Sequence, residues 1–330
     1  FTPHGARQRP ELNALTLAGL RHMNQLARRF LREGEDWSPC GVWEQLMPDR
    51  RGKLPLSPAT ADDADPTDPG HTAGSLKDGF PGHPHPAVSH PRAGWIKPQA
   101  LVKALLKHPL IEVRPNAKVT RIAHHPHQPA KRWQALGSGG EVLAEAAVAC
   151  LAAGPGSRDL LESLPSLESG AIRLHAVRGQ VSLVPMKEAA QTDLPAHCVN
   201  GHGSWIPNVP LQGLTCHAPD GSVAPNDAGP GLWGAFGSGF DHEHLDNVVR
   251  PSDHLDNLSR LSELFPEARV GALSEMPWAG WSGVRCTSPD RLPWCGATPE
   301  SGLSLSPRST GTREPSRTPP ARRTQPGSRR

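Results

Sequence analysis

The chain contains no tyrosine (Tyr 0), and aromatic residues make up only 5% of its 330 positions. No phenol is therefore available for acid–base work, and Trp 9 and Phe 6 must supply the bulkiest apolar side chains. None of the six cysteines (Cys40, Cys150, Cys198, Cys216, Cys286 and Cys295) forms a Cys-x-x-Cys pair. That excludes ribbon-type zinc sites and thioredoxin-like redox motifs, and six cysteines in so long a chain do not read as a disulfide framework. Reduced thiols in a cytoplasmic protein are expected. No run approaches the ~18 apolar residues of a membrane span, and the opening FTPHGARQRP lacks the apolar core of an export signal.

A phosphate-binding loop is also missing. The string Gly229-Pro230-Gly231-Leu232-Trp233-Gly234 has dinucleotide-loop spacing. However, such a loop needs a strand before it and a helix after it. Here APNDA precedes, strand-like residues follow, and Pro230 removes a backbone donor. A hairpin approach is the better reading.

What is present is proline and glycine. Pro 37 and Gly 33 are about a fifth of the chain, against roughly 12% in average usage, so helices and strands must be interrupted often. Charge is uneven. Seven Arg and one Glu give residues 301–330 a charge of +6, and the whole chain's +3 leaves −3 for the other 300. This tail has almost no apolar residues and is expected to be disordered. It reads as a phosphate-binding extension, a solvated tail, or a stretch that is not a native end.

Apolar spacing predicts helices over residues 11–32, 99–107 and 251–265, with Pro10, Pro98 and Pro251 near their starts. Short strands are expected over 37–46, 111–113 and 118–123, and a hairpin joins 132–136 to 141–143 across a glycine turn. Residues 177–184 (VRGQVSLV), 205–206 and 232–236 read as further strands. The continuous run 146–153 (AAVACLAA) reads as a buried parallel strand ending in Gly154-Pro155-Gly156-Ser157. Residues 48–91 are poor in apolar content and read as a long irregular loop. His83, His85 and His90 lie there without a carboxylate nearby, so loop histidines are preferred over a metal site and no metal is expected. Asn257-Leu258-Ser259 has acceptor spacing for glycosylation but falls inside a predicted helix.

Two features invite chemistry. Small residues at 153–154 allow close approach of backbone or ligand; loop packing is the alternative. Arg285 sits in GVRCTSPDRLPWCGATPE between Gly283 and Cys286. Its planar fork suits a carboxylate; a surface salt bridge is the alternative.

Ordered blocks of the chain carry a resemblance. They are DWSPCGVWEQL, HPRAGWIKPQALVKALL, VACLAAG, VRGQVSLVP, GAFGSGFDHEH, HLDNLSRLSELFP and GVRCTSPDRLPWCGATPE. In this order they resemble the FAD-dependent C-terminal module of the bifunctional tRNA wobble-uridine modifying enzymes (MnmC), within the glycine oxidase and D-amino acid oxidase superfamily. The resemblance implies an α/β fold in which a Rossmann-like FAD-binding portion is interleaved with a mainly antiparallel substrate-binding sheet. It implies oxidation of the 5-carboxymethylaminomethyl group of wobble 2-thiouridine in tRNA, leaving aminomethyl uridine, with FAD as cofactor. Modified tRNA is the implied partner, and a methyltransferase domain is normally fused upstream. Alternatives are a glycine- or sarcosine-type amino-acid oxidase, or an inactive fragment of the tRNA-modifying enzyme.

By position, the resemblance assigns Arg285, Gly94 and Trp95 to substrate. It assigns Val119, Ala153, Gly154, Asp290, Pro293 and Gly296 to the cofactor, with no catalytic residue beyond the flavin. The family's first strand and glycine-rich loop are expected before Phe1, so the FAD-binding portion is expected to be incomplete. The expected organisation is a partial oxidoreductase domain over residues 1–300 and the basic tail over 301–330.

Overall fold

The computed structural model describes residues 1–3, 10–46, 76–77, 87–125, 127–164, 173–223, 229–289 and 292–297. The basic tail, Asp290, His83, His85 and most of 48–91 lie outside the described residues. The described helices are α1 (Pro10–Phe30), α2 (Pro98–Leu105), α3 (Gly156–Glu162), α4 (Met186–Ala189) and α5 (Pro251–Leu264). The early strands are β1 (Trp37–Ser38), β2 (Val42–Gln45), β3 (Leu76–Lys77), β4 (Ala87–His90) and β5 (Trp95–Ile96). A small group follows, β6 (Arg121–His124), β7 (Trp133–Leu136) and β8 (Val142–Ala146). The last are β9 (His175–Pro185), β10 (Cys198–Gly201), β11 (Gly203–Leu211), β12 (Cys216–His217), β13 (Gly231–Gly237) and β14 (Trp278–Thr287).

Among the described residues nine strands form the main sheet, in the order β12-β14-β9-β13-β11-β10-β2-β4-β3. Its pairs are antiparallel except β10 with β2. A two-stranded sheet pairs β1 with β5, and a three-stranded sheet holds β6, β7 and β8. This is the mixed α/β architecture with a mainly antiparallel large sheet that the sequence led us to expect. Both β3 and β4 fall within the stretch read as irregular loop, and β4 pairs with β2. His90 ends β4, and its Nε2 lies 2.8 Å from Glu44 Oε2.

Helix α5 shows how sequence becomes packing. Pro251 occupies its first turn with Asp253 beside it, which suits the positive end of the helix dipole. Leu258, Leu261 and Leu264 recur at helical spacing and bury against Val184, Val199, Trp205, Phe236 and Trp278 of the sheet. Asn257, the supposed glycosylation acceptor, is buried and donates from Nδ2 to Gln180 O at 2.9 Å. Across the strands, the Trp205 ring lies over Gly234, where a Cβ would fall 2.2 Å from Cη2. Trp205 Nε1 donates to Pro195 O at 2.8 Å, so its polar edge is satisfied.

Two strand expectations fail for one reason. Residues 147–153 adopt no strand, and Val148 is 80% exposed. Residues 111–113 likewise form no strand and are exposed. A continuous apolar run becomes a buried parallel strand only when neighbours ladder both its edges. Among the described residues β8 pairs only with β7, antiparallel, and the run leaves the sheet after Ala146.

The core also holds a titratable group. His254 stacks on Trp278 at 4.1 Å and 3°, and lies 5.8 Å from the Phe236 ring. His217 stacks on the same indole at 4.6 Å. Burial, and then the nearby His217, lower the His254 pKa from 6.5 to about 4. A folded-state pKa below the unfolded one gives stability that is present above 6.5 and lost as pH falls toward 4. We expect unfolding free energy to drop by about 3 kcal/mol across that window, and His254→Phe to flatten the slope. Urea titrations of both proteins at several pH values check this.

Candidate active site

The site begins with one long antiparallel pair. Strand β14 runs against β9 with Gly283 opposite Gly179, Val284 opposite Arg178 and Arg285 opposite Val177. Arg285 therefore stands on a strand, two positions before its end at Thr287. The glycines on either side of that pairing have different tasks. A Cβ on Gly283 would meet the Trp281 ring at 2.6 Å, so its space is filled by a neighbour's indole. A Cβ on Gly179 would meet Arg285 Nη2 at 2.5 Å and Gly239 O at 3.0 Å. The guanidinium thus lies over a strand position where only hydrogen fits.

Two acceptors hold it there. Nη2 donates to Ser238 Oγ at 3.1 Å and to Gly239 O at 2.9 Å. The Phe240 ring lies 4.5 Å from the guanidinium carbon, a cation–π contact. Burial is the one influence on its pKa, which is lowered. Among the described residues no carboxylate pairs with it. Asp241, two residues beyond the Gly239 carbonyl that holds the guanidinium, is already engaged. Its Oδ1 accepts from Glu243 N at 2.8 Å and His244 N at 3.1 Å, and these bonds hold its pKa down at about 2. An anchored, partly exposed cation with no carboxylate partner among the described residues can receive an anion, and a guanidinium matches a carboxylate in shape and donor number.

The loop that supplies Ser238 and Gly239 is itself held by a buried arginine. Arg178 is 1% exposed. Its Nη1 bonds Asp253 Oδ2 at 2.6 Å, its Nε bonds Asp246 O at 3.1 Å, and its Nη2 bonds Val248 O and Gln180 Oε1. Backbone bonds between Arg178 and Asp241 run both ways, at 2.8 and 2.9 Å. Residues 241–250 therefore hang from β9. A lone charge in the strand-like VRGQVSLV was the available signal for this residue. Nothing local marked Ser238, Gly239 or Phe240, because they reach Arg285 from the loop that follows β13, far away in sequence.

The other expected residues divide. Gly154, at φ +57°, turns the chain into α3, and a Cβ there would meet only Cys286 Cβ at 3.9 Å. It thus lies beside the neighbour of Arg285, which strand alternation points to the opposite face. Ala153 precedes it, exposed, and donates its N–H to Ser157 Oγ at 3.0 Å. Val119 packs half-buried against Ile122, Leu160 and Leu164 under the three-stranded sheet. Pro293 and Gly296 are exposed after the end of β14. Gly94 and Trp95 lie four strand positions from β14, beside β10. There Trp95 packs with Val42 and Cys198, while a Cβ on Gly94 would fall 1.9 Å from Ser38 O. Among the described residues no group of three or more His, Cys, Asp or Glu could hold a metal.

A test of the arginine seat follows. Gly179→Ala pushes the guanidinium off Gly239 O. We expect affinity for a small carboxylate probe to fall about tenfold, the worth of one charge-assisted hydrogen bond, as read by calorimetry.

The sequence pattern described as FAD dependent oxidoreductase matches residues 2–308. The tRNA 5-methylaminomethyl-2-thiouridine biosynthesis bifunctional protein MnmC of Polaromonas sp. (strain JS666 / ATCC BAA-500) is 36% identical over 301 residues, covering 90% of this chain and 44% of that protein. The protein of the same name from Paracidovorax citrulli (strain AAC00-1) is 35% identical over 311 residues, covering 90% and 45%. The chain thus spans less than half the length of these relatives. Among solved structures, glycine oxidase from Geobacillus kaustophilus superposes with a TM-score of 0.55 at 16% identity, covering 89% of this chain and 72% of that one. Iminodiacetate oxidase from Chelativorans sp. BNC1 gives 0.53 at 16% identity, covering 87% and 72%. At these identities the two structures speak for the fold alone.

Proposed function

The chain belongs to the FAD dependent oxidoreductase family, and we propose that it carries out the flavin-dependent oxidation of the 5-carboxymethylaminomethyl group on wobble 2-thiouridine of tRNA. The names of its relatives support that substrate. The observation that carries the reading is Arg285, held by Ser238 and Gly239 and without a carboxylate partner among the described residues. The substrate fragment is a secondary amine next to a carboxylate, and the carboxylate is the group this arginine would hold.

The residues present fit a flavin at this end of the molecule. The guanidinium uses only Nη2 for its bonds to described residues, which leaves Nε and Nη1 for a ligand. Gly154 forms an open turn beside β14. We propose Ala153 and Gly154 as the close approach to the cofactor, with Val119, Asp290, Pro293 and Gly296 around it. Gly94 and Trp95 remain proposals for the substrate side. The Gly229–Gly234 string does not supply a pyrophosphate loop, since β13 begins inside it at Gly231. FAD, when bound, accepts the hydride from the carbon between amine and carboxylate. Arg285 would fix the carboxylate end so that this carbon has one orientation, and Gly179 keeps the space in which the guanidinium lies. Water then releases glyoxylate and leaves the aminomethyl uridine.

A methyltransferase activity, fused or separate, would consume that product, and a cytoplasmic setting suits a tRNA substrate. Among the described residues no helix is long and apolar enough to cross a membrane. The test is to load the purified chain with FAD, confirm co-elution of visible flavin absorbance, and supply tRNA carrying the modified base beside free glycine and sarcosine. Conversion of the modified nucleoside supports the reading. Turnover of the free amino acids alone would replace it with a glycine-type oxidase. Failure to retain flavin would show an inactive fragment.

A further inference from the structure

Two sulfurs meet where β1, β2 and β10 converge. Cys40 lies in the link between β1 and β2, and Cys198 opens β10. Their Sγ atoms are 3.5 Å apart although 158 positions separate them in sequence. Neither is in a disulfide. Cys40 is exposed, whereas Cys198 is 3% exposed and packs with Val42, Trp95 and Val209. The backbone on both sides is fixed. Cys198 pairs with Val42 in the parallel ladder, and Gly41 N donates to Ala93 O at 2.9 Å. We propose that Cys40 and Cys198 form a reversible disulfide, in which the exposed Cys40 meets the oxidant and the buried Cys198 resolves it. The proposal does not rest on the flavin reading.

The geometry suits this division of labour. A disulfide needs sulfurs about 2.05 Å apart, so side-chain torsion must close roughly 1.5 Å between atoms already in contact. The Cys198 thiol hydrogen-bonds to the Cys40 sulfur, and Ser38 and backbone groups add to it, so the Cys40 pKa is lowered. The same bond, with burial, raises the Cys198 pKa. The lowered pKa falls on the reachable sulfur and the raised one on the sheltered sulfur, which favours Cys40 as the nucleophile. The oxidant is a hydroperoxide. The Cys40 thiolate attacks the terminal oxygen and breaks the O–O bond; the alkoxide or hydroxide leaving group takes up a proton, and Cys40 becomes a sulfenic acid. The Cys198 sulfur then attacks Cys40, the S–O bond breaks, and hydroxide leaves as water with the Cys198 proton. Two thiols have lost two electrons, and one hydroperoxide has become an alcohol (or water) plus water.

The test uses the full chain treated with hydrogen peroxide, then alkylated, digested and mapped by mass spectrometry. We expect loss of two thiols per chain, a cross-linked peptide joining Cys40 to Cys198, and full reversal by dithiothreitol. Cys40→Ser, at an exposed position, should abolish the cross-link. Cys198→Ala should let Cys40 proceed to sulfinic acid, which the wild type resists. The proposal is overturned if wild-type Cys40 itself ends as sulfinic acid, if it pairs instead with Cys150 or Cys295, or if it remains a free thiol while those exposed cysteines oxidise. The wild-type map decides the matter even where the Cys198 variant fails to fold.

Discussion

Arg178→Met lowers the unfolding free energy by about 3 kcal/mol or more, because removing one partner of a buried ion pair leaves the other uncompensated. The variant strands the Asp253 carboxylate at the start of α5 and the carbonyls of Asp246 and Val248. Asp253 retains 22% side-chain exposure, so water relieves part of the cost and the lower end of the usual range of about 3–5 kcal/mol applies. For a chain of this size the melting temperature falls by roughly 4–6 °C. Arg178→Lys falls between, since one ammonium cannot reach acceptors spread across a fork. Thermal and urea unfolding of the three proteins measure this, and a loss under ~1 kcal/mol would sink the network. The effect extends to the site. Gln180 holds Arg250 through bonds of 2.7 and 2.8 Å, and Arg178 holds residues 241–248, so the segment that begins with Ser238 and Gly239 loses its anchor. Carboxylate affinity at Arg285 should weaken together with stability.

Arg285→Ala costs about 10² in kcat/KM on the modified tRNA if this arginine holds the substrate carboxylate. Two charge-assisted hydrogen bonds at ~1.5 kcal/mol each set that scale, and the exposed outer edge of the side chain argues against a larger figure. Arg285→Lys keeps charge without the fork and should lose about tenfold. The flavin absorbance of loaded protein should not change in either variant, which separates substrate binding from cofactor loss. An amine substrate lacking a carboxylate should be turned over equally by all three. A variant that keeps most of its activity on the carboxylate substrate would remove Arg285 from the site, whatever its geometry.

Elements with self-contained signals were legible. The helices expected over 99–107 and 251–265 are α2 and α5, each with a proline at its start. The helix expected over 11–32 is α1. VRGQVSLV forms most of β9, and the glycine-turn hairpin is β7 with β8. These forms depend on neighbours within a few positions. The run 146–153 was misread because its local pattern is that of a strand, while a strand's existence is settled by partners that the pattern does not name.

By itself the amino-acid sequence determined the helices, the hairpin, the family and the candidacy of Arg285, because spacing, capping and side-chain type act locally or are carried in order along the chain. Only the tertiary structure decided what surrounds that arginine. Gly179 lies more than a hundred positions before it, and Ser238 and Gly239 almost fifty, yet pairing of β14 with β9 and β9 with β13 brings them to one guanidinium. It decided likewise that Arg178 is buried and that Cys40 meets Cys198. Contacts between distant segments depend on strand register, and register follows from packing the whole sheet against α5, which no local stretch encodes.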